Sequence, residues 1–87
     1  MIKLESELKT AAAPTLIAAL AEAPPGEPIV LDGSEVTFLG GLCLQEMALA
    51  AQSRPEGLRI ISPSEDLMRD ITTLGAGDLF ECEGGAA

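Results

Sequence analysis

The chain has 87 residues with 5 Lys+Arg, 14 Asp+Glu and a formal net charge of −9, which sizes it as one domain with room for a single sheet and a layer of helices. That charge opposes contact with phosphate backbones and anionic lipid surfaces, so nucleic acid is not an expected partner. With no His or Trp, and Phe38 and Phe80 as the only aromatics, the chain lacks the imidazole base, the commonest metal ligand and a base-stacking platform. The expectation is a non-enzyme with no cofactor and no metal.

Cys43 and Cys82 lie far apart, without CxxC or Cys/His spacing, and read as reduced thiols of the cytosol rather than a zinc site or a disulfide framework. No run of the chain approaches the ~20 apolar residues of a membrane span, and residues 1–9 lack a continuous apolar core of a signal peptide. A cytoplasmic protein without membrane insertion is expected.

In chain order, Ile2 and Leu4 alternate with Lys3 and Glu5, the period of a short outer strand with one face on the core. Ala13, Leu16, Ile17 and Leu20 then recur at helical spacing, with Pro14 in the first turn and Pro24-Pro25-Gly26 ending the helix. After Pro28, the continuous apolar run Ile29-Val30-Leu31 reads as a central strand buried on both faces of a parallel sheet, stopped by Asp32-Gly33. Residues 42–52 form a second helix. Leu44, Met47, Ala48 and Ala51 make its apolar face, while Leu49 falls on the polar side. Its N-terminus is the bare pair Gly40-Gly41, where backbone N–H groups without intrahelical partners and the helix dipole suit an acceptor or anion.

Leu58-Arg59-Ile60-Ile61 reads as the next strand. Ser62-Pro63-Ser64-Glu65 follows as a capping box, with Ser62 as N-cap, Pro63 at the first helical position and Glu65 at the third. The third helix is expected over residues 63–74, with Leu67, Met68, Ile71 and Leu74 as its stripe and Gly75 as its C-cap. Leu79-Phe80 offers a last edge strand or a docking point, and residues 81–87 read as a polar, small-residue tail. The sum is a small α/β domain over residues 1–80, with a four- or five-stranded, mixed but mostly parallel sheet and helices packed on it.

The stretch from Ile29-Val30-Leu31-Asp32-Gly33-Ser34-Glu35-Val36 through Phe38-Leu39 to Gly40-Gly41-Leu42-Cys43-Leu44-Gln45 resembles the core motif of STAS domains, the fold of anti-sigma-factor antagonists. Leu58 to Ile61, Ser62-Pro63-Ser64, Leu74-Gly75 and Asp78-Leu79-Phe80 are similar to the final strand and helix of that family. The resemblance covers residues 29–80. Cys43-Leu44-Gln45 is most similar to small stand-alone STAS proteins beside bacterial chemotaxis genes and, less closely, to the STAS subunit of lipid-transport ABC systems.

The resemblance implies a docking module switched by phosphorylation of a Ser or Thr at the start of the second helix. A phosphate would bring about −1.5 to −2 charges to the surface that packs on a partner. Here the family's Asp and Ser/Thr positions fall on Gly40 and Gly41, so Gly41 stands at the phosphoacceptor position without a hydroxyl. What remains is constitutive binding, or a switch moved to Ser34 or Thr37. For both of these hydroxyls a turn or loop role is favoured. The expected partner-binding set is Asp32, Ser34, Gly40, Gly41, Leu42, Cys43 and Leu49. The implied partner is a kinase-like anti-sigma factor, a chemotaxis signalling protein or an ABC transporter subunit.

Two rivals stand beside this reading. One is a thiol redox sensor or enzyme using Cys43, weighed against a plain core thiol; the other is a purely structural subunit of a transporter or signalling complex with no switch, the STAS subunit of a lipid-transport ABC system among them. The carboxylate pairs Glu5 with Glu7, Glu65 with Asp66, and Glu81 with Glu83 read as capping or solvated groups rather than metal ligands. Gly40-Gly41 lacks the spacing of a P-loop.

Overall fold

The computed structural model describes residues 1–84. Along them run β1 (Ile2–Lys3), β2 (Glu7–Leu8), a 3-10 turn (Thr10–Ala12), α1 (Ala13–Ala21), β3 (Ile29–Asp32), β4 (Phe38–Leu39), α2 (Gly41–Gln52), β5 (Leu58–Ile61), α3 (Glu65–Thr73) and β6 (Glu81–Glu83). Four strands form one sheet in the order β1-β3-β5-β6, and β2 pairs with β4 in a separate two-stranded ladder. Ile2 lies opposite Leu31, Leu31 opposite Ile60, and Ile60 opposite Cys82. The domain is α/β, as its strand-helix alternation predicts.

The sheet differs from expectation in two ways. Among the described residues every strand pair is parallel rather than mixed, because each connection within the sheet crosses over through a helix and none is a hairpin. Burial on the central strands also alternates: Ile29 and Leu31 are buried while Val30 and Asp32 are half-buried, and β5 repeats the pattern. The reason is that all three helices serve one face. Leu16 and Leu20 of α1, Cys43, Leu44 and Met47 of α2, and Leu67 and Ile71 of α3 share one core with Ile29, Leu31, Leu58 and Ile60.

The opposite face is open, which is unusual for a parallel sheet. Its cross-strand rows carry Lys3 beside Asp32 and Arg59 beside Glu81. The Arg59 Nε lies 3.6 Å from Glu81 and 3.5 Å from Glu83, and Lys3 pairs with Glu35. Such exposed pairs contribute about 0–1 kcal/mol each, so they keep the face wet rather than hold it.

In α1, Pro14 sits in the first turn and Ala13, Leu16 and Leu20 face the core, but Ile17 is exposed. The loop after it is fastened from α2's end: Arg54 donates to the Ala23, Pro24 and Glu27 carbonyls at 2.7, 2.6 and 3.1 Å. In α2, Met47 is fully buried and Ala48, Ala50 and Ala51 pack at the core's margin.

The cap of α3 falls on a different serine from the one expected. Ser64, not Ser62, is the N-cap, its Oγ accepting from the Leu67 N–H at 3.0 Å. Ser62 has φ 49, in the left-handed region, whereas an N-cap needs extended backbone. Pro63 therefore precedes the helix, and Glu65 opens it. Met68 and Leu74, assigned to the apolar stripe, are exposed, leaving Leu67 and Ile71 as the anchors. Gly75, at φ 75, takes the left-handed position after the helix as expected.

At the far edge, Phe80 is buried, and the strand forms just beyond it at Glu81–Glu83. Three residues assigned to the tail thus belong to the sheet, drawn in by ladder bonds to β5. Residues 85–87 of that expected tail lie outside the described residues.

Candidate functional site

The segment joining β3 to α2 is held from three sides. Gly33 donates to the Ile61 carbonyl, and the Ser64 N–H donates back to the Gly33 carbonyl, both at 3.1 Å. A methyl group at Gly33 would meet Leu67 Cδ2 at 2.5 Å and Ile60 Cγ2 at 3.2 Å, so the Leu67 side chain would have to shift to admit any residue but glycine here. The Ser64 Oγ donates to the Val36 carbonyl. Next, the Thr37 N–H and Oγ1 both donate to the Ser6 carbonyl, at 2.7 and 3.0 Å, and Gly40 donates to the Leu8 carbonyl at 3.0 Å. The third side is Asp70 of α3, whose Oδ2 accepts from the Leu39 N–H at 2.9 Å.

Asp32 closes the turn after β3, its Oδ1 accepting from the Ser34 N–H at 3.0 Å. That backbone hydrogen bond, with a smaller contribution from the Ser34 side chain and the Lys3 charge, holds its carboxyl below the usual carboxylate range. Asp32 is thus a turn cap with a stabilised negative charge. Ser34 is exposed beside it, and the Thr37 hydroxyl is committed to β2's approach.

The start of α2 is as bare as its sequence. Gly40 is the N-cap with no side-chain cap, and the first turn holds no acidic residue. The first intrahelical bond runs from Leu44 to the Gly40 carbonyl at 3.1 Å, so the N–H groups of Gly41, Leu42 and Cys43 have no acceptor within the helix. Gly41 is exposed, and Phe38 and Leu42 are 44% and 40% exposed. The result is a small surface of half-exposed apolar side chains beside backbone donors that have no acceptor within the helix.

The expected site residues therefore separate. Gly40, Gly41 and Leu42 come together with Phe38, which lay outside the expected partner-binding set and whose ring stands against Gly40. Asp32 and Ser34 form their own turn at the sheet's end, and among the described residues no hydrogen bond joins them to α2's first turn. Leu49 is 52% exposed and faces not this turn but a groove shared with Ile17 of α1. Cys43 leaves the surface set altogether. It is buried, its Sγ donates to the Lys9 carbonyl at 3.4 Å, and burial, then the charges of Glu5 and Glu46, push its pKa up.

Asp70 was not found from sequence. The signal available was a carboxylate beside Ile71 on the inner side of an otherwise amphipathic helix, where a buried acid needs a donor.

Among the described residues no group of three His, Cys, Asp or Glu side chains is placed to hold a metal ion, and no helix is long and apolar enough to cross a membrane. Glu7 instead pairs with Lys9 at 3.1 Å and Asp66 with Arg69 at 2.8 Å. No family model, no curated protein and no solved structure matches the chain.

Proposed function

We propose that this chain is a non-catalytic regulatory docking module of the STAS kind, acting in the bacterial cytoplasm, in which Gly41 occupies the phosphoacceptor position. The partner is a protein: a kinase-like anti-sigma factor, a chemotaxis signalling protein or an ABC transporter subunit. The observation that carries the reading is the surface at the start of α2, where Gly41 is exposed with nothing within 4 Å of where its Cβ would be, and Leu42 and Phe38, the latter beside Gly40, are half-exposed.

Such a surface admits close approach of a partner backbone, and the unpaired N–H groups of the first turn can donate to that partner's carbonyl or carboxylate oxygens. A family phosphoacceptor here would interrupt docking by adding charge and bulk; a glycine leaves docking permanent. The thiol reading gains no support from Cys43, since a thiol buried under a carbonyl and pushed up in pKa is neither accessible nor ionised.

Affinity capture from the native cell with Gly41→Ala and Gly41→Asp tests this. A Cβ at this position meets nothing within 4 Å, and Asp in the first turn favours the helix. Capture should survive Ala and be lost with Asp. Equal capture by a folded Gly41→Asp protein moves the docking surface elsewhere.

A further inference from the structure

We infer that the free edge of β6 receives an extended, basic segment of a protein partner as a fifth strand of the sheet. This surface is separate from the start of α2 and stands without the reading proposed there. β6 ends the strand order and pairs only with β5. The Ser62 N–H donates to the Glu83 carbonyl at 2.7 Å, so Glu83 and, one repeat back, Glu81 turn their backbone groups inward to β5. Cys82, between them, turns its N–H and C=O outward, where no hydrogen bond among the described residues engages them. Such an edge is completed by a chain with unpaired backbone groups of its own, which an extended segment has and a helix has not.

Side chains select the composition of that segment. Glu81 and Glu83 stand on the open face beside Arg59 and Ile61, and Cys82 on the helix side beside Ile60. A cleft of about 350 Å³ at the foot of β6 continues the edge; Glu56, Asp78 and Glu81 line it with half-exposed Leu79, and no base does. Against these carboxylates stands one guanidinium, that of Arg59, whose Nε lies 3.6 Å from Glu81 and 3.5 Å from Glu83. Glu56 and Asp78 form no ion pair among the described residues. Arg54, near in sequence, is turned instead to the Ala23, Pro24 and Glu27 carbonyls.

The edge therefore carries an uncompensated negative charge, on a chain of net charge −9. An incoming strand with Lys or Arg at alternate positions sets its charges beside Glu81 and Glu83, and the apolar residue between them falls beside Cys82 on the helix side. At the sheet's other edge Lys3 is already paired with Glu35, so no charge there calls for a partner. A second copy of this chain would set Glu81 and Glu83 against their own counterparts and is opposed by like charge.

The test adds a short peptide of alternating lysine and valine to the isotope-labelled full chain, with a peptide of alternating glutamate and valine as control, followed by NMR. The lysine peptide should shift the amides of Leu79, Cys82 and Glu83, and it should slow hydrogen exchange at the Cys82 amide about tenfold or more, because that N–H gains an acceptor. The glutamate peptide should do neither. Attraction by charge alone would shift these amides without protecting Cys82, and that result overturns the proposal. Glu81→Gln combined with Glu83→Gln should weaken the lysine peptide by about three- to tenfold, as for exposed charge pairs, in a protein whose helix amides are unmoved; unchanged affinity rejects the basic occupant. Equal binding of the two peptides, or shifts confined to other surfaces, also overturns the proposal. So does protection of Cys82 produced by raising the concentration of the chain alone.

Discussion

A methyl group added at Gly40 meets the Leu8 carbonyl oxygen at 3.1 Å and the Phe38 ring at 3.3 Å, whereas at Gly41 it meets nothing within 4 Å. Gly40→Ala should therefore destabilise the fold by about 1–2 kcal/mol, through crowding against backbone and the loss of a good N-cap. Gly41→Ala should stabilise by about 0.5–1 kcal/mol, since alanine is the better helix former. Urea denaturation of the two variants reads the difference. The pair was legible in the sequence as a helix start. Which of the two tolerates a side chain was not, because that depends on a carbonyl in β2, some thirty residues earlier. For the thiols, a disulfide-exchange reagent should label exposed Cys82 in the folded protein and reach Cys43 only on unfolding. Asp32 gives a pH signature: its carboxyl sits below the unfolded value of about 3.9, so its stabilisation is present above that value and lost as pH falls through the lower folded pKa. The stability gap between the native protein and Asp32→Ala should be constant near neutrality and close in acid.

Among the elements, β4 depends on α3 for its outer hydrogen bond. Asp70 has a side chain only 17% exposed and accepts from Leu39, itself buried. Asp70→Ala leaves that N–H without an acceptor at a cost of about 1–3 kcal/mol, and hydrogen exchange at Leu39 should quicken. Asp70→Asn keeps an acceptor oxygen and should recover part of the loss. The contact illustrates why the ladder of β2 with β4 escaped sequence reading: two-residue strands carry no period, and what holds them comes from Ser6, Leu8 and Asp70 across long stretches of chain. Longer elements were legible because each carries a repeated signal. In α2 the expected burial of Leu44 and Met47 and exposure of Leu49 hold. In α3 the cap chemistry was visible, but Ser62 and Ser64 offer the same hydroxyl, and only the backbone angle at Ser62 decides between them.

At the scale of the whole molecule, fourteen acids against five bases leave a surplus that the ion pairs do not neutralise. Self-repulsion should exceed the attraction within the exposed pairs. Added sodium chloride should therefore raise the melting temperature, whereas a fold held by its ion pairs would lose stability. The parallel order of the sheet has a consequence for how the chain acquires its shape. Ile2 must find Leu31, Ile29 must find Leu58, and Ile60 must find Cys82, so each pairing closes a loop of roughly twenty to thirty residues before any contact rewards it, which places folding toward milliseconds to seconds. During synthesis, β3 can settle against β1 only once much of the first half has left the ribosome. β5 waits for its outer neighbour until Glu81 to Glu83 emerge, keeping one hydrophobic strand edge unpaired until then.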